Sequence, residues 1–448
     1  MGLDGSGYSG LALEKLSLSG ATIGDTIVVR SNGIEYSGIL MPRAQIGTDP
    51  DHIVIKLETG YNIGVRLSSE SEVKLARKGK KQKRKAVEEE MVSKEKLPAV
   101  SILSTGGTIA SKVDYQTGAV NPALSAQDLY DAVPELKSHA KVKAKVLMSI
   151  FSEDIHPSNW TKIAKGIVTE IREGANGVII AHGTDTMGFT AAALAFALQD
   201  LPVPVAIVGS QRSSDRPSSD AAMNLIQATD LVGHVDAAEV MVVMHAETDD
   251  TYSYAHRGTR VRKSHTSRRD AFQSVNSYPL FKVSSSGIEE LASPLLRRDS
   301  SRKLKVKPVF DDRVALVRTY PGVKADVIDH LVKQEYKGMV VEGTGLGHAP
   351  KALQSSIVAA VESDIVVAMT SQCISGRIDM NVYRTGVELL ELGVIGCEDM
   401  LTETALVKLM WLLANMKTVE KVRSALPEPI AGEISMRTEM AEYTATPE

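Results

Sequence analysis

The chain has 448 residues, 43% of them hydrophobic, 24% charged and 4% aromatic, with a formal net charge of -4 and a mean hydropathy of -0.06. That length exceeds one typical domain, and the composition excludes a disordered chain and a membrane protein, since no apolar run reaches the roughly 18 to 20 residues that cross a bilayer. The acidic balance argues against nucleic-acid binding over the whole surface, and the two cysteines, Cys373 and Cys397, are too few for a disulfide framework and lack metal-ligand spacing. The segment Met1 to Gly7 has no basic stretch followed by an apolar one, so the expectation is a cytoplasmic protein with no secretory signal.

Residues 1–20, rich in Gly, Ser and Leu without a steady period, read as a flexible arm. Residues 21–76 hold short β-rich runs: Thr26 to Arg30, Tyr36 to Leu40, Ile53 to Leu57 and Asn62 to Leu67. Turn signals such as Ser31-Asn32-Gly33 separate them, and a small all-β, barrel-like domain fits that spacing. Residues 77–96 form a charged linker, Arg77 to Lys85 followed by Glu88-Glu89-Glu90. The basic run fits two readings, a solvated tether or a strand of phosphate contacts to nucleic acid.

From Leu97 onward strands and helices alternate, the pattern of an α/β fold with doubly wound parallel sheets. The first lobe, residues 97–283, has strand-like runs at Leu97 to Leu103, Val178 to Ala181, Val203 to Val208 and Val240 to Met244. Helices are expected over Met187 to Leu198 and Ala221 to Val232, with Asp220 as an N-cap. Residues 284–308, polar and basic, read as an inter-lobe connection. In the second lobe, residues 309–448, strands are expected at Val314 to Val317, Gly338 to Val341 and Ile365 to Met369, and helices at Asp326 to Lys333, Ala352 to Ser363 and Thr402 to Ala414. The turn Gly343-Thr344-Gly345-Leu346-Gly347-His348 does not have the glycine spacing of a dinucleotide-binding fingerprint and is set aside.

Chemistry concentrates in two turns. In Ser104-Thr105-Gly106-Gly107-Thr108-Ile109-Ala110-Ser111 a buried strand must turn sharply, leaving a hydroxyl at its carboxyl end, where open α/β sheets bind ligands. Glycine lets the backbone approach a small substrate, so Thr108 is a candidate nucleophile, although an ordinary strand-turn-helix connection fits the same residues. His182-Gly183-Thr184-Asp185-Thr186-Met187 follows a second strand in the same way, and parallel pairing would bring Thr184 and Asp185 near Thr108. A threonine hydroxyl is a poor nucleophile until a base takes its proton, and Asp185 can serve only with a cation or relay. Lys263 is the relay candidate, because a lysine desolvated near other cations can lose its proton. The competing reading is a solvated basic loop, given Arg257, Arg260, Arg262, Arg268 and Arg269 around it.

Both turns, with Gly209-Ser210-Gln211-Arg212 and Thr370-Ser371-Gln372-Cys373-Ile374-Ser375-Gly376, resemble the bacterial-type L-asparaginases and glutaminases over about Leu97 to Lys417, most closely the cytoplasmic type I enzymes. The resemblance implies a two-lobed asparaginase-like fold and a homodimer with active sites near the subunit interface. It implies Thr108 as nucleophile and Thr184, Asp185 and Lys263 as the proton-handling triad. Tyr115 matches the tyrosine of a loop that closes over substrate. Ser152 and Glu153 match the pair that binds the substrate's α-carboxylate and α-amino group. Many asparaginases carry glutamine at the position of Glu153, and a carboxylate there would favour the substrate's ammonium group and tune the choice between Asn and Gln.

Free-standing asparaginases begin near the strand before the first turn, whereas here a β-rich domain and a basic linker come first. That arrangement resembles the D subunits of archaeal glutamyl-tRNA(Gln) amidotransferases. The resemblance implies a chain without cofactor or metal that hydrolyses glutamine and passes ammonia to a partner, the amidotransferase E subunit. The partner uses ATP and Mg²⁺ to amidate glutamate carried on tRNA(Gln), within a heterotetramer and away from membranes. Two alternatives stay open at this point: a free-standing cytoplasmic L-asparaginase with an accessory domain, and a non-catalytic RNA-binding scaffold. Also open are which threonine attacks first and the preference between Gln and Asn.

Overall fold

The structure is a computed structural model and describes residues 6–41, 49–57, 62–78, 97–106, 111–113, 120–122, 129–130, 133–212 and 218–438. The expected flexible arm is corrected over residues 10–19. Gly10–Ser19 is a helix, α1, whose Ala12 and Leu16 are fully buried one turn apart, and Gly20 closes it at φ 67° with its N–H on the Ser17 carbonyl. The Gly and Ser content conceals that two-residue apolar stripe. Five strands follow, β1 (Thr26–Ser31), β2 (Ile34–Leu40), β3 (His52–Lys56), β4 (Asn62–Arg66) and β5 (Glu72–Arg77). They pair antiparallel in the order β4-β3-β2-β1-β5, and Asn32 and Gly33 at φ 51° and 76° form the two-residue turn that joins β1 to β2. Ser31 Oγ at the end of β1 donates to the Arg66 carbonyl at the end of β4, 2.7 Å, so the sheet curls towards closure. β5 alternates charged and apolar residues at the sheet edge and reaches Arg77, one residue into the stretch expected as linker.

The next unit is built on β6 (Ala99–Ser104), a short pair β7 (Ser111–Val113) and β8 (Val120–Pro122), α2 (Leu136–His139), β9 (Lys141–Val146), α3 (Pro157–Arg172), β10 (Gly177–Ala181), α4 (Met187–Ala197) and β11 (Leu198–Gln199). It continues with β12 (Val205–Val208), α5 (Ala221–His234), β13 (Val240–His245), β14 (Tyr252–Arg257), β15 (Val261–Lys263), β16 (Phe272–Ser274), β17 (Phe281–Ser284), β18 (Gly287–Glu290) and β19 (Lys305–Val306). Eight strands form one sheet in the order β18-β17-β14-β13-β12-β10-β6-β9. β6, β10, β12 and β13 are parallel as expected, β9 adds a further parallel strand that was not expected, and β14, β17 and β18 run antiparallel. The change has a simple cause: β14 returns from β13 through the short turn 246–251, with no crossover helix between them.

Helix α3, which the sequence reading did not identify, covers one face of this sheet. His156 accepts from the Ser158 N–H while Asn159 reaches back to the His156 N–H, Pro157 opens the first turn, and Trp160, Ile163, Ala164, Ile167 and Val168 are buried at helical spacing. With α4 it packs on one side and α5 on the other, so apolar cores lie on both faces. Asp220 does not cap α5 through its side chain; its carboxylate instead accepts from the Gln211 and Arg212 N–H groups, each at 2.9 Å.

The second lobe comprises β20 (Val314–Arg318), α6 (Asp326–Lys333), β21 (Gly338–Gly343), α7 (Gln354–Glu362), β22 (Val366–Ser371), α8 (Arg384–Glu391), β23 (Ile395–Gly396), α9 (Thr402–Asn415) and α10 (Val419–Ala425), with four parallel strands ordered β20-β21-β22-β23. Its core joins the first lobe's through α4 and α9, where Phe196 stacks on Trp411 at 6.0 Å. A buried ion pair, Arg260 Nη1 to Asp399 Oδ2 at 3.1 Å, also crosses between the lobes.

Candidate active site

The carboxyl ends of β6, β10 and β12 lie side by side, and the turns that leave them are bonded to one another. Thr105, buried, donates from both its N–H and its Oγ1 to the Ala181 carbonyl at the end of β10, each at 3.0 Å. Gly106 has φ 127°, and any side chain there would run into the Ile150 carbonyl, so only glycine fits the place where the first turn meets the segment after β9. Thr108 and Tyr115 lie outside the described residues. The His182 N–H donates to the Val208 carbonyl at 2.9 Å, tying the second turn to the end of β12.

Ser152 and Glu153 begin a 3₁₀ turn over Ser152–Asp154. Ser152 is buried against the second turn: its carbonyl accepts from Thr186 Oγ1 at 2.6 Å, and a side chain at Gly183 would lie 2.8 Å from Ser152 Cβ. Glu153 is exposed. The two expected substrate-binding positions thus flank the Thr184 turn, one packed and one facing solvent.

Lys263 reaches the same place from a distant part of the chain. It ends β15, which pairs with β16 so that Lys263 faces Phe272 and the Ser264 N–H donates to the Ala271 carbonyl at 2.6 Å. Its Nζ donates to Thr184 Oγ1 at 2.8 Å and to Asp185 Oδ1 at 2.7 Å. The lysine side chain is 14% exposed while that of Asp185 is 66% exposed, so the cation is tucked behind the turn and the carboxylate faces outwards. The base of this hairpin is fastened to the second lobe: Arg260 donates to the Gly432 carbonyl at 3.0 Å and to Ser435 Oγ at 2.7 Å, besides its pair with Asp399. The solvated-loop alternative for Lys263 does not hold, although Arg268, a few residues on, does sit in an exposed loop.

His182 is a contributor that sequence reasoning missed. Its Nδ1 faces the Gly183 carbonyl at 2.6 Å and its Nε2 faces Thr190 Oγ1 at 2.9 Å, which in turn accepts from Trp160 Nε1 at 3.1 Å. One proton arrangement satisfies this chain: the indole donates to the hydroxyl, the hydroxyl to Nε2, and Nδ1–H to the carbonyl. Complete burial pushes the imidazole down to about 4, opposed only by the Gly183 bond, so the ring is neutral at pH 7. The network fixes the backbone just before Thr184. A histidine at the head of the turn was visible, but its role depends on Trp160 and Thr190 arriving from two helices.

Among the described residues no group of three or more His, Cys, Asp or Glu is placed to hold a metal ion. Cys373 is exposed, and burial pushes the Cys397 thiol up to about 12.

Three family descriptions match the chain: Asparaginase, N-terminal, over residues 99–295; Glutaminase/Asparaginase C-terminal domain over 313–426; and GatD N-terminal domain over 21–76. Among solved structures, the thermostable L-asparaginase of Thermococcus kodakarensis superposes with a TM-score of 0.68 at 31% identity, and L-asparaginase I of Vibrio cholerae with 0.66 at 29%. Each match covers 76% of this chain and 100% of the asparaginase, so about a quarter of the chain has no counterpart there. Relatives that match nearly throughout are the glutamyl-tRNA(Gln) amidotransferase D subunit of Pyrococcus furiosus, 50% identical over 95% of this chain and 98% of its own, and that of Methanothermobacter thermautotrophicus, 45% identical over 97% and 99%. The chain therefore belongs to the family of glutamyl-tRNA(Gln) amidotransferase D subunits, an asparaginase-fold amidohydrolase preceded by its own β domain.

Proposed function

We propose that the chain hydrolyses glutamine and supplies the ammonia to a partner, the E subunit, which uses ATP and Mg²⁺ to convert Glu-tRNA(Gln) to Gln-tRNA(Gln) in the cytoplasm of an archaeal cell. In this reading Thr108 adds to the side-chain carboxamide of glutamine, the C–N bond breaks with a proton delivered to nitrogen, and ammonia departs. Water then cleaves the acyl-threonine ester and returns the hydroxyl. Lys263, held by Thr184 and Asp185, moves the proton between the attacking oxygen and the leaving nitrogen, a contribution of about 10²- to 10⁴-fold in rate for a well-placed group. Ser152 and Glu153 hold the α-carboxylate and α-amino ends, and Tyr115 closes over them. Two copies of this chain and two of its E partner would make the heterotetramer.

The observation that carries this reading is the convergence of Lys263 Nζ on Thr184 and Asp185 from 79 and 78 residues away. The β domain before the hydrolase lobes weighs against a free asparaginase, because residues 21–76 match a GatD N-terminal domain outside the two asparaginase matches at 99–295 and 313–426. The test is ammonia release from Gln and from Asn, with and without the E partner and Glu-tRNA(Gln). Glutamine-dependent release that rises with both partners, and that Lys263→Met abolishes, is the expected result. Strong unassisted activity on asparagine would overturn the assignment.

A further inference from the structure

Arg269, in the connection between β15 and β16, is a basic residue of that tip which does not face solvent. Its side chain is 14% exposed. Nη1 donates to Asp250 Oδ1 at 2.7 Å and to the Thr248 carbonyl at 3.2 Å, and Nη2 donates to the Ser218 carbonyl at 2.6 Å. Asp250 Oδ1 also faces His245 Nε2 at 3.0 Å, and His245, fully buried, faces Asn224 Oδ1 through Nδ1 at 2.5 Å. Asn224 Nδ2 donates to the Gly209 carbonyl and to Asp220 Oδ2, both at 3.0 Å. A side chain on Gly209 would stand 3.0 Å from Thr184 Cγ2. The contacts therefore make a ring. At the front, Lys263 bonds Thr184; behind, the hairpin that carries Lys263 is bolted through Arg269, Asp250, His245 and Asn224 to the turn packed against Thr184.

We propose that Arg269 is a positioning residue for Lys263, setting its distance to Thr184 through the brace that Asp250 and His245 provide. The physical case rests on the hairpin's geometry. β15 and β16 are three residues each and, among the described residues, pair only with one another, so the strand that ends in Lys263 is not fixed by a larger sheet there. Arg260 and its partners hold the base of the hairpin, and Arg269 holds the far end. Arg268 next to it makes a contrast, since its guanidinium pairs with Asp270 of its own connection at 2.8 Å and 2.6 Å and fastens the tip to no other element in those bonds. A displacement of about 1 Å at a catalytic group can cost about 10²-fold in rate.

This inference rests on the proposed role of Lys263, so Lys263→Met is assayed beside it in the assembled complex with glutamine as substrate. Arg269→Ala is expected to lower kcat by about 10²-fold with KM within about twofold, Arg269→Lys to recover part of the loss, and Arg268→Ala to stay near the parent. Thermal unfolding of each variant tells lost positioning from lost protein. Should Arg269→Ala not fold, Asp250→Asn carries the same test, with a smaller fall in kcat expected at unchanged KM. An unchanged kcat overturns the inference, as does a loss that tracks the folded fraction or a lysine variant no better than alanine. If Lys263→Met keeps full activity, the proposed function itself fails, and the two failures are told apart.

Discussion

Two turns occupy equivalent places in the two lobes, each at the carboxyl end of a central parallel strand and each with a threonine beside a glycine. In the turn after β21, Gly343 to His348, the Thr344 N–H donates to the His348 carbonyl at 2.8 Å, and the Thr344 carbonyl accepts from the His348 and Gly347 N–H groups at 3.0 and 3.1 Å, while the Gln372 N–H, Ser371 Oγ and the Asp379 N–H donate from outside to the Gly343, Gly345 and Leu346 carbonyls at 2.8, 2.6 and 3.1 Å. The turn after β10 is held through its side chains. Its Thr184 and Asp185 side chains accept from Lys263, Thr186 reaches Ser152, and His182 ties the backbone to α4. Position at a strand end and bonds from other elements are common to both; a lysine shared by two of the turn's own side chains is seen, among the described residues, at the Thr184 turn. That shared lysine, rather than the Gly-Thr pattern, marks the candidate site.

The two turns should differ most at Lys263. Lys263→Met should lower glutamine-dependent ammonia release by about 10²- to 10⁴-fold without unfolding the chain, measured by rate and thermal melt together. Asp185→Asn keeps the shape of the turn and removes the charge, and a fall of about 10²-fold in kcat is expected. In the turn after β21, Thr344→Ala removes a hydroxyl whose 3.3 Å bond to the His348 carbonyl stays within the turn. Its melting temperature should shift by only a degree or two, as expected for an exposed substitution worth about 0.5 kcal/mol. A large shift would show that the Thr344 hydroxyl, like that of Thr184, is tied to groups beyond its own turn.

The His182 network sharpens the same contrast through pH. Burial lowers the imidazole to about 4 from the ordinary 6.5. Between those values the unfolded chain binds the proton and the folded chain does not. Stability is therefore whole above about pH 6.5 and falls as the pH drops towards 4, by about 3 kcal/mol for this group at the limit. His256, buried and held at about 3, acts in the same direction. His182→Gln should be less stable at pH 7 by about 1 to 3 kcal/mol and lose less on acidification, which melting curves from pH 7 to 4 would read.

The legible parts of this molecule were those whose signal is local. Apolar runs such as Val178 to Ala181 and Gly338 to Val341 announce buried strands by composition, and the helix Asp326–Lys333 announces itself by spacing. Two motifs in order carried the family, and with it Thr184, Asp185 and Lys263. What stayed hidden depended on partners far along the chain. α1 is a helix only because Ala12 and Leu16 have a sheet to pack on, and β5 looks charged because it is an edge. The antiparallel return of β14 follows from a six-residue turn that a pattern of alternating strands and helices does not reveal. Arg269 could not be told from Arg268 by sequence, since what separates them is whether Asp250 or Asp270 receives the guanidinium.

The most direct test of the central claim is a double-mutant cycle on Thr184→Ala and Lys263→Met, scored by kcat for ammonia release from glutamine. If the two side chains act as one unit, the double variant is no slower than the worse single variant, because either substitution already breaks the pair. Losses that multiply would contradict it, and would mean that the 2.8 Å contact between Lys263 and Thr184 is a neighbourly hydrogen bond with no shared role in the reaction.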